Sequence, residues 1–177
     1  MRKGVKLVVL FGALVAIGGV FVVALNDSID KSNQALLERS FPQFSLPNLT
    51  QPEQLVSNQV FATQEWTLVN VWASWCGVCL SEHDYLHTLA DSGIPILGIN
   101  YRDKVSSAAQ YLHTQGNPYQ KIAFDPNAEL ALKLGVIGTP ESILVDRQGK
   151  IQVRHLGKLT PDAWQHKFVS VMTGKKN

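Results

Sequence analysis

Apolar residues fall along this chain in two kinds of block. The first is residues 7–25, "LVVLFGALVAIGGVFVVAL", 19 positions without a charge, against the roughly 20 that a helix needs to cross a bilayer. The others are short runs between polar stretches, the pattern of a folded domain. Residues 67–73, "TLVNVWA", are a continuous β-branched and aromatic run that predicts a strand buried on both faces. Residues 95–100, "PILGIN", predict a second buried strand. Between them, apolar side chains at Val78, Tyr85, Leu86 and Leu89 predict a helix over 78–89 that runs back along the sheet. Further helices are predicted over 105–113 and over 127–134, the latter opened by Asn127 or the preceding Pro126. Beyond residue 140 the pattern changes. "SILV" at 142–145, a polar turn "DRQGK" with Gly149, and then residues 151–156 predict a β-hairpin. Thr160, Pro161 and Asp162 supply an N-cap, a first-turn proline and a first-turn acid to a final helix ending near Gly174. The order predicts an α/β domain with a mixed central sheet flanked by helices.

Arg2, Lys3 and Lys6 precede the long apolar block, and Asp27 and Asp30 follow it. This charge bias predicts a cytoplasmic N-terminus and an exported remainder. "VVA" at 22–24 is a weak cleavage site, but the block exceeds the roughly 7 to 15 residues usual in a signal peptide, and that length favours an uncleaved anchor. The expected organisation is a cytoplasmic tip at 1–6, a transmembrane helix at 7–25, a polar linker at 26–40 and one globular domain at 41–177. The net charge of +2 arises in the first 40 residues, because residues 41–177 carry 11 Lys or Arg and 11 Asp or Glu. A neutral domain without a basic stripe argues against nucleic acid as a partner. With 45% hydrophobic residues the chain can build a core without disulfide staples.

Both cysteines, Cys76 and Cys79, stand two residues apart in "NVWASWCGVCLSEHDYL", directly behind Trp75. His83 and His87 make this look like a Cys₂His₂ set, yet on one helix Cys76 and His87 lie about 16 Å apart along the axis at about 1.5 Å per residue. One zinc ion cannot bridge that span, so the two histidines read as ordinary, partly exposed helix residues. Covalent haem attachment needs Cys-x-x-Cys-His, and position 80 is Leu80. A structural disulfide across so short a loop removes little chain entropy from the unfolded state. Redox chemistry accounts for more of the stretch. A strand ending at Ala73 and a helix starting near Cys76 place the first sulfur among unpaired N–H groups at a helix N-terminus, which favours thiolate over thiol. Cys79, one turn further in, is expected to be more buried, so that Cys76 exchanges with substrate and Cys79 resolves the mixed disulfide. Trp75 either shields the sulfur or packs in the core.

A second element is "GVIGTPES" at 135–142, in which Pro140 immediately precedes a strand. This loop is expected to lie beside the cysteine turn. A cis Thr139–Pro140 bond would present the backbone of Thr139 to a substrate peptide for strand-like pairing; from spacing alone a trans turn serves equally.

Taken together, "LVNVWASWCGVCLSEHDYL", "GINYRD", "GNPY", "GVIGTPESILVDRQGKI" and "RHLGKLTPDAW" resemble the thioredoxin-like superfamily, and within it the DsbE/CcmG proteins of cytochrome c maturation. The likeness runs from Phe41 onward and includes the N-terminal anchor. It implies a thioredoxin-like fold, a redox pair at Cys76 and Cys79, a cis-proline at Pro140, and acidic groove residues at Glu82 and Glu141, with Asp125 matching a third. It further implies a periplasmic thiol-disulfide oxidoreductase on the inner membrane, acting as a reductant. Its partners would be apocytochrome c as substrate, a transmembrane thiol donor of the DsbD or CcdA kind, and the cytochrome c maturation machinery; no bound cofactor or metal is required. One departure stands out. The family carries Pro-Thr between the cysteines, where this chain has Gly77 and Val78. Glu82 and Glu141, if near Cys76, would oppose its ionisation; the bland alternative for Glu82 is a solvated helix surface. Competing functions are a general exported reductase or oxidant, a binding module of the same fold with incidental cysteines, and a thiol peroxidase.

Overall fold

The computed structural model describes residues 39–174, together with Phe11, Gly18 and Gly19. The chain divides into two compact units, Met1–Leu36 and Leu37–Asn177. In the first, Phe11, Gly18 and Gly19 are helical. The expected tip, all but those three residues of the membrane-spanning segment and nearly all of the linker lie outside the described residues. Among the described residues, no helix is long and apolar enough to cross a membrane.

The second unit opens with two short antiparallel strands, β1 (Ser45–Pro47) and β2 (Leu55–Ser57), and a single helical turn, α1 (Gln59–Ala62). Then follow β3 (Trp66–Trp72), α2 (Gly77–Asp91), β4 (Ile96–Tyr101), α3 (Val105–Gln115), β5 (Lys121–Asp125), α4 (Glu129–Lys133), β6 (Glu141–Asp146) and β7 (Ile151–Leu156). The last helix, α5, starts at Pro161–Ala163, continues in π geometry over Trp164–Val169 and closes with Ser170–Met172. Thr160 caps it as expected, its Oγ1 accepting the Ala163 N–H over 3.1 Å.

The five long strands form one sheet in the order β5-β4-β3-β6-β7. β3, β4 and β5 run parallel, while β6 and β7 are antiparallel to their neighbours. Alternation along the strands splits the core into two layers. Leu68, Trp72, Ile96, Ile122 and Leu144 face α2, α3 and α5. Val69, Val71, Leu97, Ile99, Ala123, Ile143 and Val145 face α1, α4 and the N-terminal stretch at Phe41. The sheet is therefore mixed and covered by helices on both faces, as the sequence predicts.

A register shift between Leu144 and Val145 disturbs the pairing of β6 with β7. Such a bulge re-aims the side chains that follow it. Here Ile151 packs in one core layer and Val153 in the other, and Arg154 comes to lie opposite Ile143. That placement matters for the site below.

Candidate active site

Central strand β3 ends at Trp72, and the chain turns through Ala73, Ser74 and Trp75 before α2 begins. Asp103 holds this turn: its carboxylate accepts the Ser74 N–H over 2.6 Å and the Ser74 hydroxyl over 2.8 Å, and also the Asn100 side-chain amide over 3.0 Å. Asp103 escaped the sequence reading, although it closes the "GINYRD" motif. The Cys76 N–H donates to the Ala73 carbonyl over 3.1 Å. Cys76 is then the N-cap of α2, in an extended conformation, with its Sγ accepting the Cys79 N–H over 3.1 Å. The two cysteines form a disulfide with their Cα atoms 5.3 Å apart. Cys76 is 7% exposed and Cys79 2%, the ranking expected from their places in the first turn.

Trp75 does not pack in the core. It is 60% exposed, and its indole N–H donates to the Arg102 carbonyl over 3.0 Å. Its ring tilts against Tyr101. With Ser74, Gly77, Leu80 and Tyr111 it lines a shallow groove running past Cys76 toward α3.

The Thr139–Pro140 peptide bond is cis. Val71 pairs with Glu141 across β3 and β6, so one step further along the ladder sets Pro140 beside Trp72, at the end of β3 from which the cysteine turn departs. Thr139 is partly exposed and Pro140 buried. Ile137, on the same loop, is 82% exposed. Beneath the loop, the Arg154 guanidinium donates to the Leu134 and Gly135 carbonyls, each over 2.9 Å, and ion-pairs with Oε1 of Glu141. Glu141 is thus wholly buried and neutralised by Arg154, not free in a groove. Burial nevertheless raises its proton affinity above the ordinary carboxylate value, against the lowering effect of Arg154.

Glu82 is not surface. It is 1% exposed, three residues beyond Cys79 on the buried side of α2. Its Oε1 accepts the Asn70 side-chain amide over 2.9 Å and its Oε2 the Leu159 N–H over 2.6 Å. Burial outweighs both hydrogen bonds and the nearby Lys158, and the carboxyl is pushed up to about 7. His83 is also buried, correcting the expectation of partial exposure; its Nε2 donates to the Gly116 carbonyl over 3.1 Å. Burial lowers its proton affinity and favours the neutral ring. Asp125 lies at the end of β5, where its two oxygens accept the Leu130 and Ala131 N–H groups at the start of α4. Among the described residues, no hydrogen bond joins its carboxylate to the cysteine turn.

An oxidised cysteine pair at a helix N-terminus, a cis-proline loop beside it and a buried carboxyl one turn away make a site suited to disulfide exchange. Comparison with known proteins agrees. A family profile described as Redoxin matches residues 37–169. The chain is 40% identical over 165 residues to the thiol:disulfide interchange protein DsbE of Vibrio cholerae, covering 89% of each. It is 39% identical over 145 residues to DsbE of Escherichia coli, covering 82% of this chain and 78% of the other. Among solved structures, the thioredoxin domain of a thiol-disulfide oxidoreductase from Bacteroides vulgatus superposes with a TM-score of 0.64 at 20% identity, over 79% of this chain and 98% of that one. A secreted thiol-disulfide isomerase from Corynebacterium glutamicum gives 0.63 at 26% identity, over 71% and 81%. The fold is thioredoxin-like, and a disulfide-forming pair in that setting makes the protein a thiol:disulfide oxidoreductase. The chain belongs to the Redoxin family, and within it to the DsbE thiol:disulfide interchange proteins.

Proposed function

We propose that this protein is a membrane-tethered periplasmic reductant that keeps the Cys-x-x-Cys-His thiols of apocytochrome c reduced for haem attachment. In the reduced enzyme the Cys76 thiolate attacks one sulfur of the substrate disulfide, forming a mixed disulfide and releasing the first substrate thiolate. Cys79 then attacks the Cys76 sulfur, releases the second substrate thiolate and leaves the Cys76–Cys79 disulfide. Two electrons pass to the substrate, and a transmembrane thiol donor of the DsbD or CcdA kind returns them.

The observation that carries the exchange chemistry of this reading is the Cys79 N–H directed at Cys76 Sγ over 3.1 Å, and the likeness to DsbE proteins supports its direction. That donor, with the other N–H groups of the first turn, stabilises negative charge on the sulfur. Cys79, more deeply buried, needs a base before it can attack, and Glu82 serves: its carboxylate takes the Cys79 proton as the sulfur attacks, and burial matches its proton affinity to neutral pH. Thr139 and Pro140 present backbone to the substrate peptide beside Cys76, and Trp75 borders it; Glu141 supports that loop through Arg154. Asp125 acts at a distance, by fixing α4.

The test is the reduction potential of the Cys76–Cys79 pair, measured by equilibration in defined thiol-disulfide buffers, with reduction of a Cys-x-x-Cys-His peptide disulfide as the companion assay. A potential more negative than about −200 mV is expected. A value near roughly −120 mV, where strong oxidants lie, would make the protein a disulfide donor.

A further inference from the structure

The "GNPY" segment, residues 116–119, takes no direct part in the chemistry above, yet it is built into the floor of the site. The Gly116 carbonyl receives His83, and the Asn117 side chain accepts the Tyr119 N–H over 3.0 Å. The Tyr119 ring stacks on Trp72 with 5.4 Å between centroids and 13° between planes. The fit is close: a Cβ on Gly98 would stand 2.9 Å from Trp72 Nε1 and 3.0 Å from Tyr119 Cγ. So held, the Tyr119 hydroxyl donates over 3.0 Å to Oδ1 of Asn70, a fully buried residue in the middle of β3. Asn70 Nδ2 in turn donates to Glu82 Oε1 over 2.9 Å, with the Ser142 hydroxyl at 3.5 Å.

This row serves an ionised Glu82. A protonated Glu82 needs an acceptor instead, and burial makes an unpaired O–H costly. The Leu159 N–H faces Oε2 and can only donate, so the acid proton falls on Oε1, the oxygen that faces Asn70. An asparagine amide carries a donor and an acceptor of nearly equal shape, and its terminal torsion is soft and two-fold. A tyrosine hydroxyl donates or accepts. We propose that the Asn70 amide turns over whenever Glu82 gains or loses its proton, the Tyr119 hydroxyl pairing with it in both settings. With Glu82 ionised, Tyr119 donates to Oδ1 and Nδ2 donates to Glu82. With Glu82 protonated, its O–H donates to Oδ1 and Nδ2 donates to Tyr119. The Glu82 carboxyl and the Asn70 amide keep a partner in both settings, and Asn70 and Tyr119 are positioning residues that let a buried carboxyl change charge.

The inference rests on the reading that Glu82 exchanges a proton with Cys79. That step moves one proton from the Cys79 thiol to the Glu82 carboxylate and leaves a thiolate and a carboxylic acid. The other titratable groups facing Glu82 are Tyr111 on α3, Tyr119 and Lys158. Burial holds both tyrosines neutral, Tyr111 at about 12 and Tyr119 well above its ordinary value. Lys158 favours the carboxylate. His83, next in sequence, bonds to Gly116 instead.

The experiment is NMR of the full chain, isotope-labelled and held reduced, across pH 5 to 9. The Asn70 side-chain NH₂ is expected to show contacts to Tyr119 at low pH and to Glu82 at high pH, exchanging with the midpoint of the Glu82 carboxyl carbon. An amide that keeps one set of neighbours throughout the Glu82 titration overturns the proposal. Glu82→Gln separates the two readings. If Cys79 reactivity keeps its pH profile in that variant, Glu82 is not the base, whereas the Asn70 turnover is judged by the wild-type spectra alone.

Discussion

The backbone N–H of Cys79 points at the sulfur of Cys76 from 3.1 Å, within the turn that the two residues bracket. One cysteine is thereby the helix cap for the other, and the same hydrogen bond that starts α2 favours charge on the outer sulfur.

After reduction, Cys76 is expected to react with iodoacetamide with a midpoint below the roughly 8.5 of an unperturbed thiol, while Cys79 stays unlabelled in the folded protein. Peptide mass spectrometry after brief alkylation at a series of pH values checks this. Equal labelling of the two residues would contradict the division of roles.

Glu82 ties stability to pH. Its proton affinity is higher in the folded chain, at about 7, than the ordinary 4.5, so between these values the folded state holds a proton that the unfolded state has lost. The resulting stabilisation is fully present below the unfolded value and disappears as pH rises through the folded one. The difference between pH 5 and pH 8 amounts to about 3 kcal/mol at most, from roughly 1.4 kcal/mol for each pH unit of separation. Urea unfolding at the two pH values, compared with Glu82→Gln, isolates it; the variant is expected to lose most of the dependence. Glu141, raised in the same direction, contributes with the same sign.

Arg154 is a buried cation of the sheet, paired with the buried Glu141. Arg154→Met leaves Glu141 buried without its counter-ion, which costs roughly 3 to 5 kcal/mol. Adding Glu141→Leu is expected to recover the part due to charge, but not the part due to the freed Leu134 and Gly135 carbonyls. Denaturant midpoints of the single and double variants read the difference directly.

Gly77 occupies the first position of α2, and a Cβ there would meet nothing within 4 Å. Cys76 before it is already extended, with ψ of 103°, close to what a residue ahead of proline requires. Gly77→Pro is expected to stabilise the protein by about 0.4 to 1 kcal/mol through the unfolded state, measured as a raised urea midpoint. A lowered midpoint would show that the first turn must flex.

The runs around β3 and β4 were readable because strands buried on both faces leave an unbroken apolar signature. The cap at Thr160 was readable because helix ends demand particular side chains, whereas Cys76 was placed near a helix start without being read as its cap. β5 was not, since "KIAFD" is short and framed by charges, and the three-residue β1 and β2 fall below any period. Asn70 passed as one polar letter in an apolar run, because its partners Tyr119 and Ser142 reach it only through the sheet. The burial of Glu82, left open beside a solvated alternative, was legible: Cys79, Glu82, Leu86 and Leu89 follow the 3-4-3 spacing of a buried helix stripe. The charge of its side chain concealed a position that the periodicity marks as interior.

The Arg154 clamp also bears on how this protein can diverge. It fastens the proline loop from below by main-chain carbonyls, which every sequence possesses, while the crest residue Ile137 stands 82% exposed. Replacements at an open surface position of this kind usually change stability by less than about 0.5 kcal/mol. Change at that crest is therefore separable from foldability: a single codon can alter the outer surface of the proline loop while the clamp underneath is inherited unchanged.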